Sequence, residues 1–138
     1  MGKHFTEHLL ATKEHIVTAI TRPDSTSVLP EGVNVVRVDY TREAETDMSV
    51  LVDALRGQQA HVITMSHAAL NVTTILVRAA ANAGVPYILP NWFGHNAANE
   101  KLIKDSIMSG LLESVREIEH LGVSSYFLLI CTSGTSSI

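Results

Sequence analysis

The residues of this sequence that could do chemistry gather where apolar runs end. Thr21 is followed by Arg22, Val38 by Asp39 and Tyr40, Thr64 by Met65, Ser66 and His67, and Pro90 by Asn91, Trp92 and Phe93. If the runs are strands of an open parallel sheet, these positions lie at carboxyl ends, where such sheets hold ligands. An arginine there can take a phosphate where an acidic residue would hold ribose hydroxyls; an ordinary solvated strand-end arginine is the alternative reading. Signals for proton transfer are poorer. Tyr40, Tyr87 and Tyr126 are followed four residues on by Ala44, Asn91 and Ile130, so there is no Tyr-x-x-x-Lys. His4 and His8 share a helix face, as some zinc ligands do, but no third ligand stands at a recognisable spacing and they read as exposed histidines. His61, His95 and His120 have no partner identifiable from spacing, and Cys131 reads as a small buried residue. No metal site and no catalytic residue is assigned.

The elements that must position these residues are legible from periodicity. Residues 60–66 are short, apolar and rich in β-branched residues, as a strand buried on both faces should be. Asn71 can cap a helix whose apolar residues Val72, Ile75, Leu76, Ala79, Ala80 and Ala83 recur at helical steps, with Gly84 at the left-handed C′ position. Residues 85–90 follow as a strand, so 60–90 reads as a βαβ unit. Around it the pattern predicts a helix over 3–11 and strands over 15–21 and 33–39. Asp47 caps a helix running to Gly57, and Asn99 with Glu100 opens a longer one running to Gly122. A last strand covers 124–130. Strands alternate with helices, as in an α/β, doubly wound parallel sheet. Residues 1–131 form the domain, and 132–138 are a loose C-terminal tail without periodicity.

Composition narrows the function classes. With 138 residues, 46% hydrophobic and 17% charged, the chain has the make-up of one globular domain. A net charge of −4 and no Lys/Arg cluster argue against nucleic acid and membrane surfaces as partners. One cysteine and no apolar run near the ~20 residues of a membrane span point to a reducing, cytoplasmic setting. Met1 to Thr6 fits the loose myristoylation pattern, which matches often by chance and reads here as a helix start.

Pro90-Asn91-Trp92-Phe93-Gly94, following an alanine-rich helix and Gly84-Val85-Pro86-Tyr87, resembles a segment of the NmrA-like and isoflavone-reductase-like family of atypical short-chain dehydrogenases. Gly2-Lys3-His4-Phe5, Thr18-Ala19-Ile20-Thr21-Arg22-Pro23, Val38-Asp39-Tyr40 and Ile118-Glu119-His120-Leu121-Gly122-Val123 resemble the same family in the same order. The resemblance implies an NADP-binding Rossmann fold with a Gly-x-x-Gly-x-x-Gly turn after its first strand, whose glycines let the pyrophosphate approach a helix N-terminus. Only Gly2 corresponds to that turn, as its last glycine, so the expected sheet lacks the first strand and most of the glycine-rich turn. The resemblance further implies that Arg22 takes the 2′-phosphate of NADP and that Asp39 and Tyr40 lie near the adenine. Met65, Ser66 and His67 would flank the nicotinamide ribose, and Asn91, Trp92 and Phe93 would pack cofactor and a small aromatic substrate. Where the reductase branch carries a lysine, counting back from Ile118 brings Leu111, which cannot transfer a proton. Lys101 and Lys104 lie a turn or more away and read as helix-surface charges.

Three functions stay open on these grounds. One is an NADP-binding, oxidoreductase-like protein that, if active, is an NADPH-dependent reductase. Another is a non-catalytic redox-sensing regulator that binds dinucleotide, and the third is an incomplete gene product without independent function. The absent first strand carries a stability expectation. It would lie between strands 15–21 and 60–66, and adjacent strands stand about 4.8 Å apart, so an empty slot is too wide for ladder hydrogen bonds. Unpaired buried backbone groups cost roughly 1–3 kcal/mol each against a domain stability of ~5–15 kcal/mol. The chain is therefore expected to be marginally stable and prone to aggregate. Thermal unfolding with light scattering tests this, and a monomer melting sharply above about 55 °C would contradict it.

Overall fold

The structure of the protein, a computed structural model, describes residues 2–40, 48–65, 72–90, 101, 110–122 and 124–125; the side chains of 110–115 and 124–125 are not part of that description. Helix α1 (Gly2–Ala11) leads to strands β1 (Thr18–Thr21) and β2 (Asn34–Arg37), then α2 (Met48–Leu55) and β3 (Ala60–Val62). Helix α3 (Thr73–Asn82), β4 (Tyr87–Leu89), α4 (Gly110–Leu121) and β5 (Ser124–Ser125) complete the order. Among the described residues every strand pairing is parallel.

The strands are shorter than the apolar runs that encode them, because a ladder extends only as far as its partner does. Between β1 and β2 the register sets Thr18 opposite Asn34 and Thr21 opposite Arg37. Bonds from Asn34 N–H to the Val17 carbonyl (2.9 Å) and from Val38 N–H to the Thr21 carbonyl (2.9 Å) continue the pairing past both ends. β3 pairs with β4 and β4 with β5, and Ile63 N–H donates to the Leu89 carbonyl at 2.9 Å. Among the described residues no ladder joins β1 to β3, so the direct pairing that would close the expected slot does not form there.

α3 is the centre of the packing. Its stripe Ile75, Leu76, Val77, Ala79 and Ala80 is buried, as are Leu51 and Leu55 of α2, Ile88 of β4 and Ile118 of α4. The helix lies against both α2 and α4, and Arg78 reaches across to Glu117 with an Nε–Oε1 distance of 2.7 Å. The alanines let neighbouring backbone approach closely, and the helix ends as its glycine dictates. Gly84 takes φ +74, Gly84 N–H bonds the Ala81 carbonyl (3.0 Å) and Val85 N–H the Ala80 carbonyl (3.0 Å), which is a Schellman closure. At the other end the expected cap, Asn71, lies outside the described residues. Val72 stands before the helix in αR conformation with no side-chain cap bond. Asp47, Asn99, Glu100, residues 126–130 and the tail 132–138 also fall outside the described residues. By contrast with α3, α1 buries none of its residues fully.

The packing makes a simple pair of expectations. Ile88→Ala removes a fully buried side chain and should cost about 2–5 kcal/mol, read from the urea midpoint. Val28→Ser, at a residue 90% exposed, should stay within about 0.5 kcal/mol of the parent.

Candidate functional site

The Val38 N–H to Thr21 carbonyl bond holds the carboxyl ends of β1 and β2 together, so Arg22 and Asp39 emerge side by side. With Pro23 and Asp24 they line an open depression of about 250 Å³. Arg22 Nε lies 3.6 Å from Asp24 Oδ1, with the two side chains 51% and 76% exposed. The backbone beneath them is fixed by a residue whose role the sequence does not disclose. Arg37 Nη1 donates to the carbonyl oxygens of Arg22 (3.4 Å), Pro23 (3.3 Å) and Ser25 (3.3 Å), and Ser25 N–H closes the turn on the Arg22 carbonyl at 3.1 Å. The register that sets Arg37 opposite Thr21 aims its guanidinium at this turn.

Tyr40 closes the same corner, and its ring packs partly buried against the hydrophobic core. Burial pushes its phenol above the ordinary range; the Arg22 guanidinium opposes this, and the Asp24 and Asp39 carboxylates reinforce it. Like any tyrosine it is protonated at neutral pH, and it can donate a hydrogen bond. The corner thus sets a cation beside two carboxylates, with a phenol next to an apolar wall.

The second cluster lies at the end of β3. Met65 follows that strand, partly buried against the core. Gly2 starts α1 beside it: a Cβ at residue 2 would stand 2.6 Å from Thr64 Oγ1, so a side chain there would force one of the two to move. The sequence points to Gly2 but not to Thr64 as the neighbour that makes a glycine fit. Ser66, His67, Asn91, Trp92 and Phe93 lie outside the described residues, as do Lys104 and His95. Lys101 is helical and exposed, and Leu111 belongs to α4. A further open depression, of about 510 Å³, is lined by Thr74, Arg78, Arg116, Glu117 and His120 of α3 and α4, and no strand-end residue contributes to it. Among the described residues no helix is long and apolar enough to cross a membrane, and no group of three or more His, Cys, Asp or Glu could hold a metal.

No protein-family model matches the sequence. The chain is 30% identical over 119 residues to the oxidoreductase aprR of Aspergillus flavus, covering 86% of this chain and 38% of that protein. It is 32% identical over 78 residues to the oxidoreductase poxI of Penicillium oxalicum, covering 56% of this chain and 23% of that one. Solved structures share the fold. AtPrR2 with NADP+ and (+)pinoresinol superposes with a TM-score of 0.75 at 21% identity, over 93% of this chain and 45% of that one. Isoflavone reductase gives 0.71 at 19% identity, over 93% and 45%. Leucoanthocyanidin reductase with NADPH from Vitis vinifera gives 0.70 at 14% identity, over 91% and 45%. The chain thus spans less than half the length of these proteins. The likeness to isoflavone-reductase-like proteins read from the sequence is borne out in the fold, which is of the Rossmann type.

A buried titratable group stands apart from both clusters. His61, on β3, keeps some surface as a residue, yet its Nδ1 is covered and has no hydrogen-bond partner among the described residues. Burial pushes its pKa down to about 4 from an ordinary 6.5. Between those values the unfolded chain binds the proton and the folded chain does not, so His61 weakens the fold as pH drops from 6.5 towards 4 and costs nothing above 6.5. Going from pH 7 to pH 5, the parent should lose about 1–2 kcal/mol more than His61→Leu, measured by urea unfolding at both values. Parallel pH profiles for the two proteins would contradict it.

Proposed function

We propose that this chain, whose fold is that of the isoflavone-reductase-like Rossmann proteins, binds NADP and forms the cofactor-side portion of an oxidoreductase-like protein. The observation that carries the proposal is the depression at the ends of β1 and β2, where Arg22 stands beside Asp39 and the protonated Tyr40. The residues suit the group. Arg22 would hold the 2′-phosphate, Asp39 and Tyr40 would flank the adenosine, and Gly2 would let the pyrophosphate approach the start of α1, where helix amides favour an anion. Met65, with Ser66 and His67 after it, would continue the site towards the nicotinamide ribose, and Asn91, Trp92 and Phe93 would border a small aromatic substrate. When bound, the nicotinamide supplies a hydride; the chain's own residues bind and orient.

The NADP+ and (+)pinoresinol of the AtPrR2 structure and the NADPH of the leucoanthocyanidin reductase structure support this choice of cofactor and an aromatic substrate class. Proton transfer has no donor assigned. General acid catalysis typically contributes ~10²–10⁴-fold, and Leu111 stands where the resemblance puts a lysine. That substitution favours, as a second reading, a regulator that binds the dinucleotide without turning it over.

Arg22 decides the cofactor choice. NADPH should bind about tenfold or more tightly than NADH, since a hydrogen bond to a charged group contributes ~1.5–3 kcal/mol, and Arg22→Ala should bring the two affinities together. Competitive titration of both cofactors against both proteins measures this, and equal affinities in the parent would overturn the NADP assignment.

A further inference from the structure

The cation proposed to meet the 2′-phosphate already has an anion beside it. Asp24 Oδ1 lies 3.6 Å from Arg22 Nε and lines the same depression, and Asp39 borders it too. One guanidinium and two carboxylates sum to a charge of −1 at the place where a phosphate would have to bind. Arg37 brings the sum to zero, but its Nη1 faces the turn carbonyls of Arg22, Pro23 and Ser25. Those three contacts, the Ser25 N–H to Arg22 carbonyl bond and the fixed φ of Pro23 keep Arg22 and Asp24 on one rigid turn, two residues apart. Asp24 therefore cannot leave the neighbourhood of Arg22 by a change of backbone; only its side chain can rotate away.

We propose that Asp24 is the specificity-determining residue of this depression, an internal competitor that a 2′-phosphate must displace from Arg22, and that Arg37 is the positioning residue that holds the two together. The inference rests on the NADP reading above and goes beyond it by assigning what limits that reading. A ligand with hydroxyls at the ribose 2′ position does not need to displace Asp24, so Asp24 narrows the margin between phosphorylated and unphosphorylated adenosines. Asp24→Asn keeps the size and hydrogen-bonding capacity of the side chain and removes the charge. Like charges placed together oppose binding, while the exposed ion pair that is lost contributes little to stability.

The experiment titrates the full chain with adenosine 2′,5′-bisphosphate and with 5′-AMP, which differ by the 2′-phosphate alone. Asp24→Asn should tighten the bisphosphate by about threefold or more and leave 5′-AMP within about twofold, so the ratio of the two affinities rises. In the Arg37→Met background, where the turn is released, the same Asp24→Asn change should raise the ratio less; a merely structural role for Arg37 would lower both affinities and leave the effect of Asp24→Asn intact. A parent that prefers the bisphosphate, with the ratio unmoved by Asp24→Asn, overturns the role of Asp24 and leaves the NADP reading standing. No preference in the parent overturns the NADP reading, and this inference with it.

Discussion

Parallel pairing sends the carboxyl ends of neighbouring strands to the same edge of a sheet, and the candidate site depends on that constraint. Arg22, Asp39 and Tyr40 have no sequence proximity beyond the last two, yet they share a corner because β1 and β2 run the same way and Thr21 and Val38 are bonded at their ends. Parallel strands require a connection long enough to return the chain to its starting edge. Residues 22–33 make that return without a helix, so the turn after β1 is held by side-chain bonds. Arg37, on the strand that the connection leads to, supplies them.

A buried apolar core backs this edge. α3, with Val77, Ala79 and Ala80 fully buried, lies against α2 and α4, and Ile63, just past β3, and Ile88 of β4 belong to the same buried cluster. Ile20, Val36 and Tyr40, from β1, β2 and the residues after it, pack partly buried on the same core. A single apolar cluster thus spans two ladders that no backbone bond joins among the described residues. The non-directional attraction of apolar surfaces carries what the hydrogen-bond ladder does not. Among the described residues three buried polar atoms have no hydrogen-bond partner, Thr21 Oγ1, His61 Nδ1 and Thr73 Oγ1, and each weakens the fold slightly.

Charges of both signs meet at the site. Arg22 brings one positive charge to the depression, and Asp24 and Asp39 border it with two carboxylates. Tyr40, whose pKa burial raises further above an already high ordinary value, brings a phenol donor rather than a further negative charge. These are properties of groups at a few ångströms, where an exposed ion pair is weak and easily exchanged for another.

The sequence by itself determined the helices and the order of the elements. The three- and four-residue spacing from Val72 to Ala83 and the glycine after it specify α3 with its Schellman end, because both signals are local to the backbone that obeys them. It also placed Arg22, Asp39 and Met65 at strand ends, since an apolar run followed by polar residues marks where a strand stops. Tertiary structure alone decided the rest. Strand length was overestimated, with 15–21 expected and Thr18–Thr21 paired, because a ladder depends on its partner's register. That register turned Arg37 from a plain strand residue into the clamp on the Arg22 turn. Burial of His61 and the closeness of Gly2 to Thr64 came the same way, from segments distant in sequence. Periodicity reports which residues seek the core; only the packed chain fixes which of them meet.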